Sequence, residues 1–147
     1  MKKFGSVNEV LDFAIAKEIQ AYDFYIELSE WAERPEVADA FKDFAAEELR
    51  HKEKLEAIKA GDAAMREDEV GSLNIADSME PAEPQANLTY AQALVVAMRK
   101  EKDSFKLYTQ LASLSQDEKI KDTLSNLALE EARHKLSLEI EYDLTTF

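Results

Sequence analysis

The chain predicts an all-α fold, a bundle of four long helices built as two helical hairpins joined by a long crossover. Three observations carry that expectation. Gly and Pro number only three each in 147 residues, while Ala, Glu, Leu and Lys are abundant, a composition that favours helix over sheet. Four stretches of about 25 residues repeat apolar positions at alternating three- and four-residue steps, the spacing of one helical face. A segment of the first half also recurs in the second at an offset of 83 residues. Glu47-Glu48-Leu49-Arg50-His51-Lys52 matches Glu130-Glu131-Ala132-Arg133-His134-Lys135, and the same offset carries Glu18 onto Glu101 and Tyr25 onto Tyr108 without a gap. The length suits one domain over residues 1–147 with a sizeable core.

The first helix is expected over about Ser6 to Ala32, with Ser6 as N-cap and Glu9 at the capping-box position. Its seam reads Leu11, Ala14, Glu18, Ala21, Tyr25, Leu28 and Ala32. Arg34-Pro35 breaks it, because Pro fits the first turn of a following helix. The second helix runs to about Ala60 through Val37, Phe41, Phe44, Glu48, His51, Leu55 and Ile58, and Gly61 stops it. Residues 61–88 hold two of the three Gly and two of the three Pro and read as the crossover, with a short helical turn expected around Ala63 to Glu67. A 25-residue helix is about 37 Å long. Twenty-eight connecting residues can span that length, so the second and third helices are expected to run parallel.

The third helix is expected over about Thr89 to Leu114, with the seam Leu94, Ala97, Glu101, Ser104, Tyr108 and Leu111. Ser115-Gln116-Asp117 makes a turn and cap. The fourth runs from about Asp117 to Tyr142 through Ile120, Leu124, Leu127, Glu131, His134 and Leu138.

Composition removes several classes of function. A net charge of −13 makes nucleic acid and anionic membrane surfaces poor partners and makes cations good ones. The absence of Cys excludes disulfide frameworks, zinc ribbons and thiolate-ligated iron centres from these residues. No apolar run after Met1 could serve as a signal peptide or a membrane span, so a cytoplasmic location is expected.

The chemistry lies in the repeat. Each Glu-x-x-His places a carboxylate and an imidazole one turn apart on one helical face. Glu18 and Glu101 occupy seam positions at mid-helix, so Glu18, Glu48, His51, Glu101, Glu131 and His134 can meet at one depth. Four carboxylates carry −4, and two divalent ions balance them. Oxygen and nitrogen donors without sulfur suit iron or manganese, and zinc satisfies the same donors. A single Glu-x-x-His is ordinary helix surface. Two copies in register with matched seam glutamates are not, although a metal-free structural bundle held by salt bridges stands as the alternative.

The set resembles the ferritin-like superfamily of di-iron carboxylate proteins, and especially its rubrerythrin branch, over nearly the whole chain. The resemblance implies a di-iron site with Glu48 and Glu131 bridging, Glu18 and Glu101 as terminal ligands, and one His on each ion. It implies reduction of H2O2 or O2 in oxidative-stress defence, with electrons from a separate donor protein such as a rubredoxin, and a homodimer. Iron oxidation and handling, as by a ferroxidase, is the alternative activity. Rubrerythrins usually add a rubredoxin domain, for which this chain lacks Cys, and an extra glutamate one turn past the third-helix ligand, where Ser104 stands here with Ala21 as its repeat mate. About five residues are expected after the fourth helix, which disfavours the storage cage of ferritins.

Other residues are open to two readings. Glu47 and Glu130 are either solvated acids or acceptors for a metal-bound imidazole on another helix. Tyr25 and Tyr108 read first as core packing with satisfied hydroxyls, with a role beside the ligands compatible with it. Tyr22 belongs with them at lower register. Trp31, Phe13 and Phe24 read as core or subunit-interface residues.

Overall fold

The computed structural model describes residues 4–61, 67, 70 and 88–146. Its four helices are α1 (Val7–Trp31), α2 (Pro35–Ala60), α3 (Tyr90–Leu114) and α4 (Glu118–Thr146). The turn expected around Ala63 to Glu67 lies almost wholly outside the described residues. Of that connection, Glu67 accepts a hydrogen bond from Val7 N at 2.9 Å, and Val70 is buried in the core.

The helix ends follow from local chemistry. Ser6 Oγ accepts from Glu9 N at 3.2 Å, whereas the Glu9 carboxylate reaches Gly5 N at 2.6 Å, so the expected capping box closes one residue early. The complete box stands at α3, where Thr89 Oγ1 accepts from Gln92 N and Gln92 Oε1 accepts from Thr89 N. Gly61 ends α2 with an extended backbone (φ −86°, ψ 156°), so the stop there does not use a left-handed glycine. Asp117 Oδ1 accepts from Lys119 N at 2.9 Å and caps α4. That helix passes Tyr142 and reaches Thr146, four residues beyond the expected end. The hydroxyls of Thr145 and Thr146 donate back to the carbonyls of Glu141 and Tyr142.

Pairings across the bundle set helix directions. Tyr25 reaches Glu101 and Tyr108 reaches Glu18, so α1 and α3 are antiparallel. His51 meets Glu130 and His134 meets Glu47, so α2 and α4 are antiparallel. The α1–α2 connection, Ala32 to Arg34, is too short for anything but an antiparallel hairpin, and α2 therefore runs parallel to α3, as the crossover length implies.

Two apolar layers fill the bundle. One gathers Val10, Leu11, Ala14, Leu55, Ile58, Leu107, Leu111, Leu124 and Leu127; the other gathers Tyr25, Leu28, Phe41, Ala45, Leu94, Ala97 and Leu138. On every helix the candidate ligands fall between the two, so a polar layer is closed above and below by hydrocarbon. Beyond the second layer, Glu141 accepts from Arg34 and from the Tyr90 hydroxyl, the latter at 2.6 Å. This ties the α1–α2 turn to the start of α3 and the end of α4.

Trp31 is 47% exposed, which removes it from the core; Phe13 and Phe24 are half-buried, with Lys17 and Lys100 lying over their rings. Leu129, Leu136, Ile140 and Leu144 form an exposed apolar row along α4.

Two leucines two residues apart on α4 therefore differ sharply. Leu127 is fully buried and Leu129 is 60% exposed. Leu127→Ala should cost about 2–5 kcal/mol in chemical denaturation, from lost transfer energy and the residual cavity. Leu129→Ala should stay within about 0.5 kcal/mol of the parent.

Candidate metal centre

All six groups singled out from the repeat meet between the apolar layers, and all are buried. Glu18, Glu48, His51 and Glu131 offer ligand atoms within 4.8 Å of one another, and so do Glu48, Glu101, Glu131 and His134. Glu48 and Glu131 belong to both groups. Glu18 with His51, and Glu101 with His134, each belong to one. The twofold relation of the sequence repeat thus becomes a twofold relation of two adjoining four-donor sets.

The imidazoles are held from behind. His51 Nε2 lies 2.5 Å from Glu130 Oε2, and His134 Nε2 pairs with Glu47 in the same way. Each pairing crosses from one hairpin to the other. Glu47 and Glu130 are about a quarter exposed, so each imidazole is anchored at the edge of the bundle and turns Nδ1 inward. Each of these glutamates thus lies within hydrogen-bond reach of an imidazole on another helix. Arg50 and Arg133 flank Glu47 and Glu130 at 3.9 and 3.7 Å. Phe44 stacks on the His134 ring at 4.3 Å between centroids, which restricts its rotation.

The seam tyrosines are exchanged likewise. Tyr25 of α1 donates to Glu101 Oε1 of α3 at 2.9 Å, and Tyr108 of α3 donates to Glu18 Oε1 of α1. Each bond occupies one carboxylate oxygen and leaves the other, Oε2, facing the centre. Burial first, and the surrounding carboxylates next, hold both phenols well above their usual range, so they stay protonated donors. Tyr22 is half-buried in the second apolar cluster.

What remains turned inward has no partner. Among the described residues, nine buried side-chain polar atoms lack a hydrogen bond, and eight belong to this centre: Glu18 Oε2, both oxygens of Glu48, His51 Nδ1, Glu101 Oε2, both oxygens of Glu131 and His134 Nδ1. His51 Nδ1 stands 3.1 Å from Glu131 Oε1 and 3.4 Å from Glu18 Oε2 and Glu48 Oε1, near enough for charge attraction without hydrogen-bond alignment. Burying so many unpartnered acceptors costs several kcal/mol per ion unless a counter-charge is present. Two divalent cations would balance the four carboxylates and could take these atoms as ligands, so the residues fit a dinuclear centre.

Electrostatics agree with crowded like charge. Burial, then repulsion from Glu101 and Glu18, pushes the Glu48 carboxyl well up, and burial with Glu101 and Glu48 does the same to Glu131. Burial works against protonating His51 and His134. The facing carboxylates of Glu131 and Glu18 outweigh it at His51, raising it to about 10, and Glu101 leads at His134, raising it to about 9.

One buried network was not read from the sequence. Glu141 lies three residues past Leu138 and so continues the α4 seam; an acid at that spacing was the available signal.

Two measurements follow. Glu47→Gln and Glu130→Gln should each weaken metal affinity by about 10–100-fold in chelator competition, because the imidazole loses its anchor. In metal-free protein the raised groups are protonated more readily when folded. The imidazole contribution to stability is complete below their ordinary value of 6.5 and disappears as pH rises through about 9 and 10. Glu48 and Glu131, shifted upward as well, act with the same sign. Metal-free protein should therefore unfold more easily at pH 9–10 than at pH 6, and metal loading should flatten that slope in thermal melts.

The rubrerythrin family model matches residues 9–142. Among solved structures, the chain is similar to a protein of Thermotoga maritima described as a ferritin-like diiron-carboxylate protein, with TM-score 0.80, 25% identity, and coverage of 99% of this chain and 100% of that one. It is also similar to a hypothetical protein of Pyrococcus furiosus, with TM-score 0.73, 24% identity, and coverage of 95% and 89%. No curated protein matches. With a family match spanning all four helices and a ferritin-like fold around it, this chain belongs to the rubrerythrin family.

Proposed function

We propose that this protein is a non-haem di-iron redox protein that reduces peroxide or O2, with Glu18, Glu48, His51, Glu101, Glu131 and His134 as its ligands. The observation that carries the reading is the convergence of eight unpartnered buried donor atoms on one point between two apolar layers. A bound pair of ferrous ions would supply two electrons, enough with two protons to convert one H2O2 into two waters.

The chain's own residues do the rest. Glu48 and Glu131, common to both donor sets, would bridge the ions and hold them close. Glu130 and Glu47 keep the His51 and His134 protons at Nε2, which leaves Nδ1 free as the ligand atom. Tyr25 and Tyr108 hold the terminal carboxylates of Glu101 and Glu18 in place and keep their own protons while doing so. Leu107, Leu111, Leu124 and Leu127 on one side, with Leu28, Leu94 and Leu138 on the other, exclude bulk water. Ser104, half-buried one turn past Glu101, offers no carboxylate, so exchange of ligands through that position is not part of this reading.

These residues include no Cys to hold a second, thiolate-ligated iron centre, and the reading assigns the supply of electrons to a separate donor protein such as a rubredoxin. The proposal places the protein as one domain acting in oxidative-stress defence in the cytoplasm. No helix among the described residues is long and apolar enough to cross a membrane. The exposed α4 row of Leu129, Leu136, Ile140 and Leu144 supports a homodimer.

Protein loaded anaerobically with two equivalents of Fe(II) should be oxidised by one equivalent of H2O2 per iron pair, followed by absorbance, and should cycle when a reductant is supplied. Loaded protein that stays ferrous under both peroxide and O2 would sink the proposal. Consumption of added Fe(II) as substrate, with no cycling on reductant, would favour iron handling instead.

A further inference from the structure

We propose that the outer face of α3 is the docking surface for the electron donor, and that the donor is a small acidic one-electron carrier protein. The inference rests on the reading above, since it names the partner that the redox cycle requires.

Charge is distributed unevenly over this acidic chain. α3 carries Arg99, Lys100, Lys102 and Lys106 against Glu101 and Asp103, whereas acids outnumber bases on each of the other three helices. Glu101 is buried in the centre, so the surface of α3 is more basic than its composition. Arg99, Lys102 and Lys106 are exposed and recur at steps of three and four, which makes one stripe. No salt bridge ties down any of the three among the described residues, although Lys17, Lys106 and Lys102 all act on the half-buried carboxylate of Asp103. Phe105, 38% exposed and three residues from Lys102, borders the stripe and adds apolar contact area. Lys17 and Lys100, half-buried along the α1–α3 groove, extend the positive field toward α1.

Position adds to charge. The helical period turns Arg99 and Lys106 about 160° and 140° away from Glu101 round α3 and Lys102 about 100° away, and all lie within five residues of it. A protein seated on the stripe is separated from the candidate ligands by about one helix thickness, roughly 10 Å. A second copy of this chain is the less suitable occupant. Twofold pairing through this face would set basic stripe against basic stripe. An acidic carrier is attracted, and a shallow charged patch with one apolar neighbour suits brief encounters. In each encounter the carrier is oxidised by one electron. Two carriers oxidised, with two protons from solvent, account for one H2O2 reduced to two waters.

The test compares the triple variant Arg99→Glu, Lys102→Glu, Lys106→Glu with the charge-matched control Lys54→Glu, Lys119→Glu, Lys121→Glu, whose residues are also exposed. The probe is a reduced rubredoxin of acidic pI. Its affinity for zinc-loaded protein is measured by calorimetric titration, and its oxidation by peroxide-treated iron-loaded protein is followed by stopped flow. The α3 variant should lose about 10-fold or more in both, the parent should weaken as salt rises, and the control should be affected much less. Peroxide oxidation of pre-reduced protein should be the same in all three. An α3 variant indistinguishable from the control, or a salt-independent parent, overturns the proposal. So does a change in sedimentation of the α3 variant alone, which would assign the stripe to a second copy. If peroxide oxidises none of the three, the functional reading fails, and the zinc-form titration still judges the surface.

Discussion

Four carboxylates and two imidazoles are packed into the middle of an apolar bundle, and the rest of the structure is arranged around making that tolerable. Isolated, each buried carboxylate would be strongly disfavoured. Here Tyr25 and Tyr108 each satisfy one oxygen of a seam glutamate, while Glu130 and Glu47 each anchor an imidazole from behind. The satisfied atoms all lie at the periphery of the cluster, and the unsatisfied ones point to its middle. Cations placed there would act both as the functional group and as the counter-charge that the fold lacks.

Every one of those supporting bonds runs between hairpins. The α1–α2 half supplies Tyr25 and Glu47 to the α3–α4 half, and receives Tyr108 and Glu130 in return. Neither repeat could build a complete site alone. The two apolar layers hold the hairpins at the separation these exchanges need, and the Arg34–Glu141–Tyr90 network fixes one end. The residues that align the candidate ligands are also those that reconcile charge with burial.

Membership of the rubrerythrin family rests on a match over most of the chain, and the ferritin-like fold rests on its likeness to solved structures. One local feature departs from what the resemblance implies: Ser104 stands where a further glutamate is expected, and the bundle is unaltered by it. Positive charge is gathered on the outside of α3 in an otherwise acidic protein.

Much was legible in the residues alone because helical chemistry is periodic. The seam steps of three and four, few helix breakers and an in-register duplication suffice for four helices, their boundaries within a few residues, and six donors at one depth. Other features depended on which helix faces which. Glu47 and Glu130 could equally have been solvated until α2 and α4 came together antiparallel. Trp31 pointed outward, which set aside the core and not the subunit-interface reading, and Glu141 lies buried where Arg34 supplies a counter-charge and the Tyr90 hydroxyl donates a hydrogen bond from another element. Period and composition govern contacts within a helix, whereas pairings between helices are set by packing that no single segment encodes.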